Sequence, residues 1–397
     1  MKVDSSLSKT NKFKIDICSD EKKEQKNENN KNNKTNKNAA ISNQVNFKPI
    51  QDYSKSIQVS TCDKDFYTKK ENIKEYLKET YPKFFENFEL IEYIGKGSTG
   101  IVYEGKLKNN KKKQKYAIKF KINQDKKENS KETQEIAILR KLHNKNLTEI
   151  FAFIKINDYS HFCVLELGNH GDIENFQKVL LKRKVLSETI ICYFTKQILE
   201  ALEYIHKCKI IHMDIKQGNI LVDSNLNIKL TDFSVSCSFA LFNPEDLVKF
   251  PYVGTSKYMS PEIINRTHMK IKEASKIDIY SLGVTLYDLA FGEYPYKLKE
   301  VGSRDYDNIL KNIQNEKLEF PKDRKVSELF KNFLSGLLEK DYTKRFNIRT
   351  ALNHPWIKAA KIIYDEKENT FCNENFLINL ITDNIRNFNN YLKNPSK

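Results

Sequence analysis

The residues best equipped for chemistry lie in Ile211-His212-Met213-Asp214-Ile215-Lys216-Gln217-Gly218-Asn219-Ile220-Leu221. Moving a phosphoryl group onto an alcohol needs a carboxylate to orient the hydroxyl and accept its proton. It also needs an oxygen ligand for a metal and a cation near the transferring group. Asp214, Asn219 and Lys216 supply these in that order. A D-x-K-x-x-N string arises freely in surface turns, but here it sits between two β-like pairs, Ile210-Ile211 and Ile220-Leu221. A second carboxylate follows in Leu230-Thr231-Asp232-Phe233-Ser234. An Asp at a strand end is ordinarily a turn former. A short hairpin's length after Asn219, it reads better as a second ligand for a hard cation such as Mg²⁺, which favours oxygen donors beside substrate phosphates.

Upstream, Gly95-Lys96-Gly97-Ser98-Thr99-Gly100-Ile101-Val102 places glycines where a β-turn-β backbone can approach triphosphate oxygens. A G-x-G-x-x-G also occurs in dinucleotide folds, where it must open a helix. Here Ile101, Val102 and Tyr103 continue as a strand, so that reading fails. In Tyr116-Ala117-Ile118-Lys119 a lysine sits inside an otherwise apolar strand. Such a lysine usually snorkels to the surface; buried, it must find an anion. The candidates are nucleotide phosphates and Glu135, from the next helical segment.

The elements that must hold these groups fall into two blocks. Residues 88–94, 101–106, 116–122, 150–156 and 162–167 read as short strands, interrupted by one helix with Ile136, Leu139 and Leu142 on one face. After Gly168 the pattern turns helical, with Ile190, Ile191, Phe194, Ile198, Leu202 and Ile205 marking a long amphipathic helix. The expected fold is α+β: a small β-rich lobe with one main helix, residues 88–167, then a larger, mostly helical lobe, residues 168–358. A lead-in helix is expected within residues 66–87, where Ile73, Tyr76, Leu77 and Tyr81 share a helical spacing. Residues 1–65 alternate Lys, Asn, Ser and Glu and bury too little apolar surface to offset ordering, so disorder is expected there. Residues 359–397 form an extension in which Leu377, Ile381, Ile385, Phe388 and Leu392 suggest an amphipathic helix.

Composition narrows the class. The 397 residues are 39% apolar with 24 Phe and 20 Tyr, enough for a substantial core. The net charge of +16 favours acidic partners. Its lysines are scattered rather than gathered into a stripe, which argues against a nucleic-acid surface. Seven cysteines without a C-x-x-C pair support neither a disulfide framework nor a zinc cluster. No apolar leader opens the chain, Lys2 excludes N-myristoylation, and the apolar run 277–291 is broken by Asp278 and Asp288. These point to a cytoplasmic protein with access to the nucleus and no membrane insertion.

Together and in order, these motifs resemble the signature set of the eukaryotic protein kinases. The likeness extends from about residue 88 to 358. It continues in Gly254-Thr255-Ser256-Lys257-Tyr258-Met259-Ser260-Pro261-Glu262, similar to the peptide-binding segment. Asp278 matches the carboxylate that braces the catalytic loop, and Arg345 the arginine that pairs with Glu262. The resemblance implies ATP with Mg²⁺ (Mn²⁺ as substitute), Asp214, Lys216 and Asn219 as catalytic residues, and Asn219 and Asp232 as metal ligands. It also implies a nucleotide pocket. Ile94, Gly95, Lys96, Gly97, Ser98, Thr99, Gly100 and Val102 would cover it, while Ala117, Lys119 and Glu135 line it. Leu165 would be the gatekeeper, Glu166, Leu167 and Gly168 the hinge whose backbone holds adenine, Asp172 would meet the ribose or a basic substrate side chain, and Leu221 would also contact the nucleotide. Lys216 and the Gly-Thr-x-x-Tyr segment resemble enzymes acting on Ser/Thr of protein substrates, in intracellular signalling.

The chain departs from that pattern twice. Met213 replaces the arginine that commonly pairs with a phosphorylated activation loop, and residues 239–251 contain no hydroxyl side chain. The expectation is a loop held by packing of Leu241, Phe242, Leu247 and Phe250, without need of phosphorylation. Ser234 stands where the metal motif normally has Gly, which implies a stiffer Asp232–Phe233 switch. Residues 220–222, 283–287 and 354–357 look like calmodulin-dependent kinase kinases; Val235-Ser236 and residues 255–261 look like MAP-kinase kinases and their upstream kinases. The alternatives are a catalytically silent scaffold and a dual-specificity enzyme. The C-terminal helix reads as packed on the large lobe, or as the seat of a regulatory partner.

Overall fold

The computed structural model describes residues 73–97, 100–108, 114–122, 134–155, 160–180, 185–300 and 305–358, with isolated strands at 16–17, 364–365 and 370–371. Ser98, Thr99, the helix expected at 377–392 and, apart from Asp16–Ile17, the N-terminal tail lie outside the described residues. Strand β1 (Asp16–Ile17) pairs antiparallel with a later strand at Val248 and Lys249.

The lead-in segment is two helices, α1 (Ile73–Thr80) and α2 (Pro82–Asn87), rather than one. The cause is Pro82: its ring disfavours helical geometry at the preceding residue, and Tyr81 sits at φ −129°, ψ 53°. Five strands follow in one antiparallel sheet: β2 (Phe88–Gly97), β3 (Gly100–Leu107), β4 (Lys115–Ile122), β5 (Ile150–Lys155) and β6 (Ser160–Leu165), in the order β2-β3-β4-β6-β5. Leu77, Tyr81, Phe84 and Phe85 bury themselves against one face of this sheet, with Phe84 stacked 3.8 Å from Phe162. Helix α3 (Gln134–Leu139) carries Glu135; its neighbours Ile136 and Leu139 join the core of the other lobe.

The large lobe begins with a short turn, α4 (Ile173–Asn175), capped by Asp172, whose carboxylate accepts from Asn175 N at 2.8 Å. Helix α5 (Glu188–Lys207) buries Ile190, Ile191, Phe194, Ile198, Leu202 and Ile205. Between β7 (Ile210–Ile211) and β8 (Ile220–Val222) runs the Asp214 loop; β8 pairs with β9 (Ile228–Leu230) in a hairpin. Short pairs β10 (Cys237–Ser238) with β7, and β11 (Leu247–Lys249) with β12 (Met269–Lys270), fix the following segment. After α6 (Pro261–Ile264), helix α7 (Lys276–Phe291) is buried nearly all round, as its apolar sequence requires. The amphipathic helices α8 (Tyr306–Asn315), α9 (Glu328–Leu337) and α10 (Ile348–Asn353) complete the lobe. Among the described residues no helix is long and apolar enough to cross a membrane.

Candidate active site

A cavity of about 300 Å³ lies between the sheet and the β8–β9 hairpin. It is lined by Ile94, Gly95, Lys96, Gly100 and Val102 from the first hairpin, and by Ala117, Lys119 and Glu135 behind them. Leu165, Glu166, Leu167, Asp172, Leu221, Asn219 and Asp232 close the other side. Gly97 pairs with Gly100 at the turn of that first hairpin. Gly100 has φ +151°, and a Cβ there would lie 2.4 Å from the carbonyl oxygen of Phe120, so the turn can approach the sheet only without a side chain.

Alternation along β4 turns Lys119 inward, where it is 8% exposed. Its Nζ lies 2.8 Å from Glu135 Oε1 and 3.3 Å from Asp232 Oδ1. Burial disfavours the ammonium, but the two carboxylates outweigh it and hold its pKa above the ordinary lysine value. Asp232 is the mirror case: burial opposes its charge, and Lys119 together with the Ser234 hydroxyl keeps it below the usual carboxylate range. Ser234 therefore contributes a hydrogen bond that glycine could not. Phe233 is fully buried, its ring 4.9 Å from that of His212.

Asp214 is held on every side. Its Oδ1 accepts from Thr255 N at 2.8 Å; its Oδ2 accepts from Lys216 Nζ at 2.8 Å and Asn219 Nδ2 at 2.9 Å. Lys216 also donates to Thr255 Oγ1 at 2.7 Å, coupling the loop to the segment before Pro261. Asn219 spends its NH₂ on Asp214, which leaves the amide oxygen for a hard cation. Gly254, at φ +88°, allows this junction: a Cβ would lie 2.4 Å from Met213 O. Beneath it, fully buried Asp278 accepts from His212 N and Met213 N, each at 2.9 Å, and sits 2.8 Å from His206 Nε2. Met213 adopts φ +67° and Asp232 φ +63°, left-handed conformations that a non-glycine residue holds only when its surroundings impose them.

The fold matches a known domain. A family model described as the protein kinase domain covers residues 88–357. The chain belongs to the protein kinase family. The kinase is 32% identical over 283 residues to myosin light chain kinase A of Dictyostelium discoideum, covering 68% of this chain and 88% of that protein. It is 30% identical over 285 residues to serine/threonine-protein kinase TIO of Arabidopsis thaliana, covering 71% of this chain but 20% of that one. With the cell cycle serine/threonine-protein kinase CDC5/MSD2 of Saccharomyces cerevisiae it shares 30% identity over 226 residues, 57% of this chain and 30% of the other. The chain thus spans less than a third of the length of these last two relatives.

The kinase's cavity also contains groups to which the motifs give no role: Leu139, Thr148, Gly171 and Thr231. Thr231 lies within the Asp232 motif; Leu139 and Thr148 carry no pattern beyond ordinary core spacing. Another miss concerns the loop at 239–251. Phe250 and Val248 are buried and Phe242 packs on the core, but Leu241 is 99% exposed and Leu247 36%. Leu241 lies at the tip of a tight turn closed by Phe242 N to Phe239 O, which points it away from the lobe.

Proposed function

We propose that this kinase transfers the γ-phosphate of ATP to serine or threonine hydroxyls of protein substrates. The observation that carries the reading is the buried Asp214 carboxylate, fixed by Thr255, Lys216 and Asn219 beside a cavity that holds Lys119 and Asp232. The acceptor oxygen forms its bond to the γ-phosphorus as the bond to the β-phosphate oxygen breaks, and the hydroxyl proton passes to Asp214. Lys216 offsets the charge developing on the transferred group, and Lys119 faces the α- and β-phosphates. Asn219 and Asp232 would hold Mg²⁺, which supplies charge neutralisation of the phosphates.

The activation segment supports activity without phosphorylation. Met213, buried in the core, offers no receptor for a phosphate. In its place β11 pairs with β12, Ile271 N donates to Asp246 O and Lys272 N to Pro244 O. Glu245 bridges Lys270 at 2.8 Å and Lys272 at 2.5 Å. The bond from Ser234 to Asp232 favours a stiff metal motif, so inhibitors that need Phe233 turned out should bind poorly.

The test is transfer from radiolabelled ATP to Ser, Thr and Tyr peptides with Mg²⁺, before and after phosphatase treatment. Transfer to Ser and Thr that survives phosphatase and falls about 10²–10⁴-fold in Asp214→Asn is expected. No transfer by the wild type would leave a silent scaffold; equal transfer to Tyr would indicate dual specificity.

A further inference from the structure

Glu166 contributes to the cavity in an unequal way. Its N–H is occupied, donating to Glu149 O at 2.9 Å, so the backbone group it can offer an adenine amine is its carbonyl. Its side chain turns the other way. Oε1 lies 2.7 Å from Lys229 Nζ, and Oε2 accepts from Glu149 N at 3.3 Å.

Lys229 is the middle residue of β9, paired in register with Leu221, which floors the same cavity. The hairpin that Lys229 belongs to begins immediately after Asn219 and ends two residues before Asp232. Its two ends are fastened by Thr231 N to Asn219 O at 3.0 Å. Both metal-ligand candidates therefore ride on one rigid hairpin, and the Glu166 carboxylate is clamped to its centre. Downstream, His170 N to Val222 O and Val222 N to Gly171 O anchor the chain after the hinge. The ion pair adds an anchor on the upstream side, at the residue whose carbonyl faces the nucleotide. With side chains 14% and 26% exposed, the pair is shielded more than a surface bridge.

We propose that Lys229 and Glu166 form a positioning pair. It sets the span between the adenine-reading backbone and the metal-binding residues, so that both ends of one ATP are engaged together. The inference rests on the nucleotide reading above. Adenosine, which reaches only the hinge, should be nearly indifferent to the pair; ATP·Mg²⁺, which must satisfy both ends, should not. Small errors of placement weigh heavily in such two-ended binding.

The experiment compares wild type, Lys229→Met, Glu166→Gln and the reversed double variant Glu166→Lys/Lys229→Glu. It measures KM for ATP, kcat, KM for peptide, melting temperature, and calorimetric binding of ATP·Mg²⁺ and of adenosine. Each single variant should raise the KM and Kd for ATP about 3–10-fold, between the effects of exposed and buried pairs. In Lys229→Met, adenosine affinity and kcat should change by less than about twofold, with peptide KM constant, and the reversed pair should recover most of the ATP affinity. Unchanged ATP affinity in both single variants would overturn the proposal. So would equal losses for ATP and adenosine, which would mean the pair merely shapes the adenine slot. Calorimetry needs no turnover, so failure of phosphate transfer by the wild type is a separate result and bears on the kinase reading alone.

Discussion

Two buried ion pairs stabilise the two lobes, and they are built to opposite ends. Arg345 in the large lobe is 2% exposed and makes a two-pronged contact with Glu262, at 2.7 and 2.9 Å. Its remaining donors go to the carbonyls of Glu339, Lys276 and Lys340, and its guanidinium lies 4.9 Å over the Tyr280 ring. Every polar direction is used within the protein, which is what makes a buried charge tolerable. Lys119 in the small lobe is nearly as buried, yet its two carboxylates leave it against the cavity, and one of them, at 3.3 Å, is itself a metal-ligand candidate. A closed pair cements an architecture. An open pair holds a cation ready for something else.

The comparison can be broken most sharply at Arg345. Arg345→Met should lower stability by about 3–5 kcal/mol by leaving Glu262 buried and unpaired. Thermal unfolding would show a melting temperature lower by several degrees, with ATP affinity of the folded fraction little changed. Lys119→Met should do the reverse: transfer falling about 10²–10³-fold with the melting temperature within a few degrees of wild type. If Lys119→Met unfolds the protein and Arg345→Met silences it without destabilising it, the division of labour drawn here is wrong. A third substitution sharpens the open pair. Ser234→Gly removes the hydroxyl bond to Asp232 and should bring a gain in affinity for inhibitors that need Phe233 displaced, read by competition binding.

The same contrast explains what the sequence disclosed. The lysine inside an otherwise apolar strand, the carboxylate in the next helix and the Asp–Lys–Asn loop carry their chemistry in residue type and spacing, and the fold does bring them together. So does the meeting of Arg345 with Glu262 across 83 positions, visible through resemblance alone. The break between α1 and α2 was legible in Pro82, yet helical periodicity on both sides hid it. The Glu166–Lys229 pair was not legible, because neither residue is unusual where it stands and their relation exists only once the hinge lies beside the hairpin. Leu241 was misjudged for a related reason: apolar composition predicts burial on average, whereas a tight turn decides which side chain at its tip is left outside.

The smallest effect concerns a third charge, Asp288 on α7, half-buried and so less enclosed than the other two. Burial raises its carboxyl to about 6, even though Tyr258 and Gln217 donate to it at 3.2 and 2.6 Å. Glu174 adds repulsion; Lys178, itself paired with Glu174, subtracts some. Since the folded-state pKa lies above that of the unfolded chain, near 3.8, the fold binds the extra proton across that window. The contribution to stability is therefore present at low pH and is lost as pH rises through about 6. Asp288→Asn, which keeps an acceptor for both donors but carries no charge, should gain melting temperature relative to wild type at pH 8, and the gain should shrink as pH falls below 6. A melting difference that stays constant across that range would mean that Asp288 does not titrate there, and its hydrogen bonds, not its charge, would then define it as a closed group like Arg345.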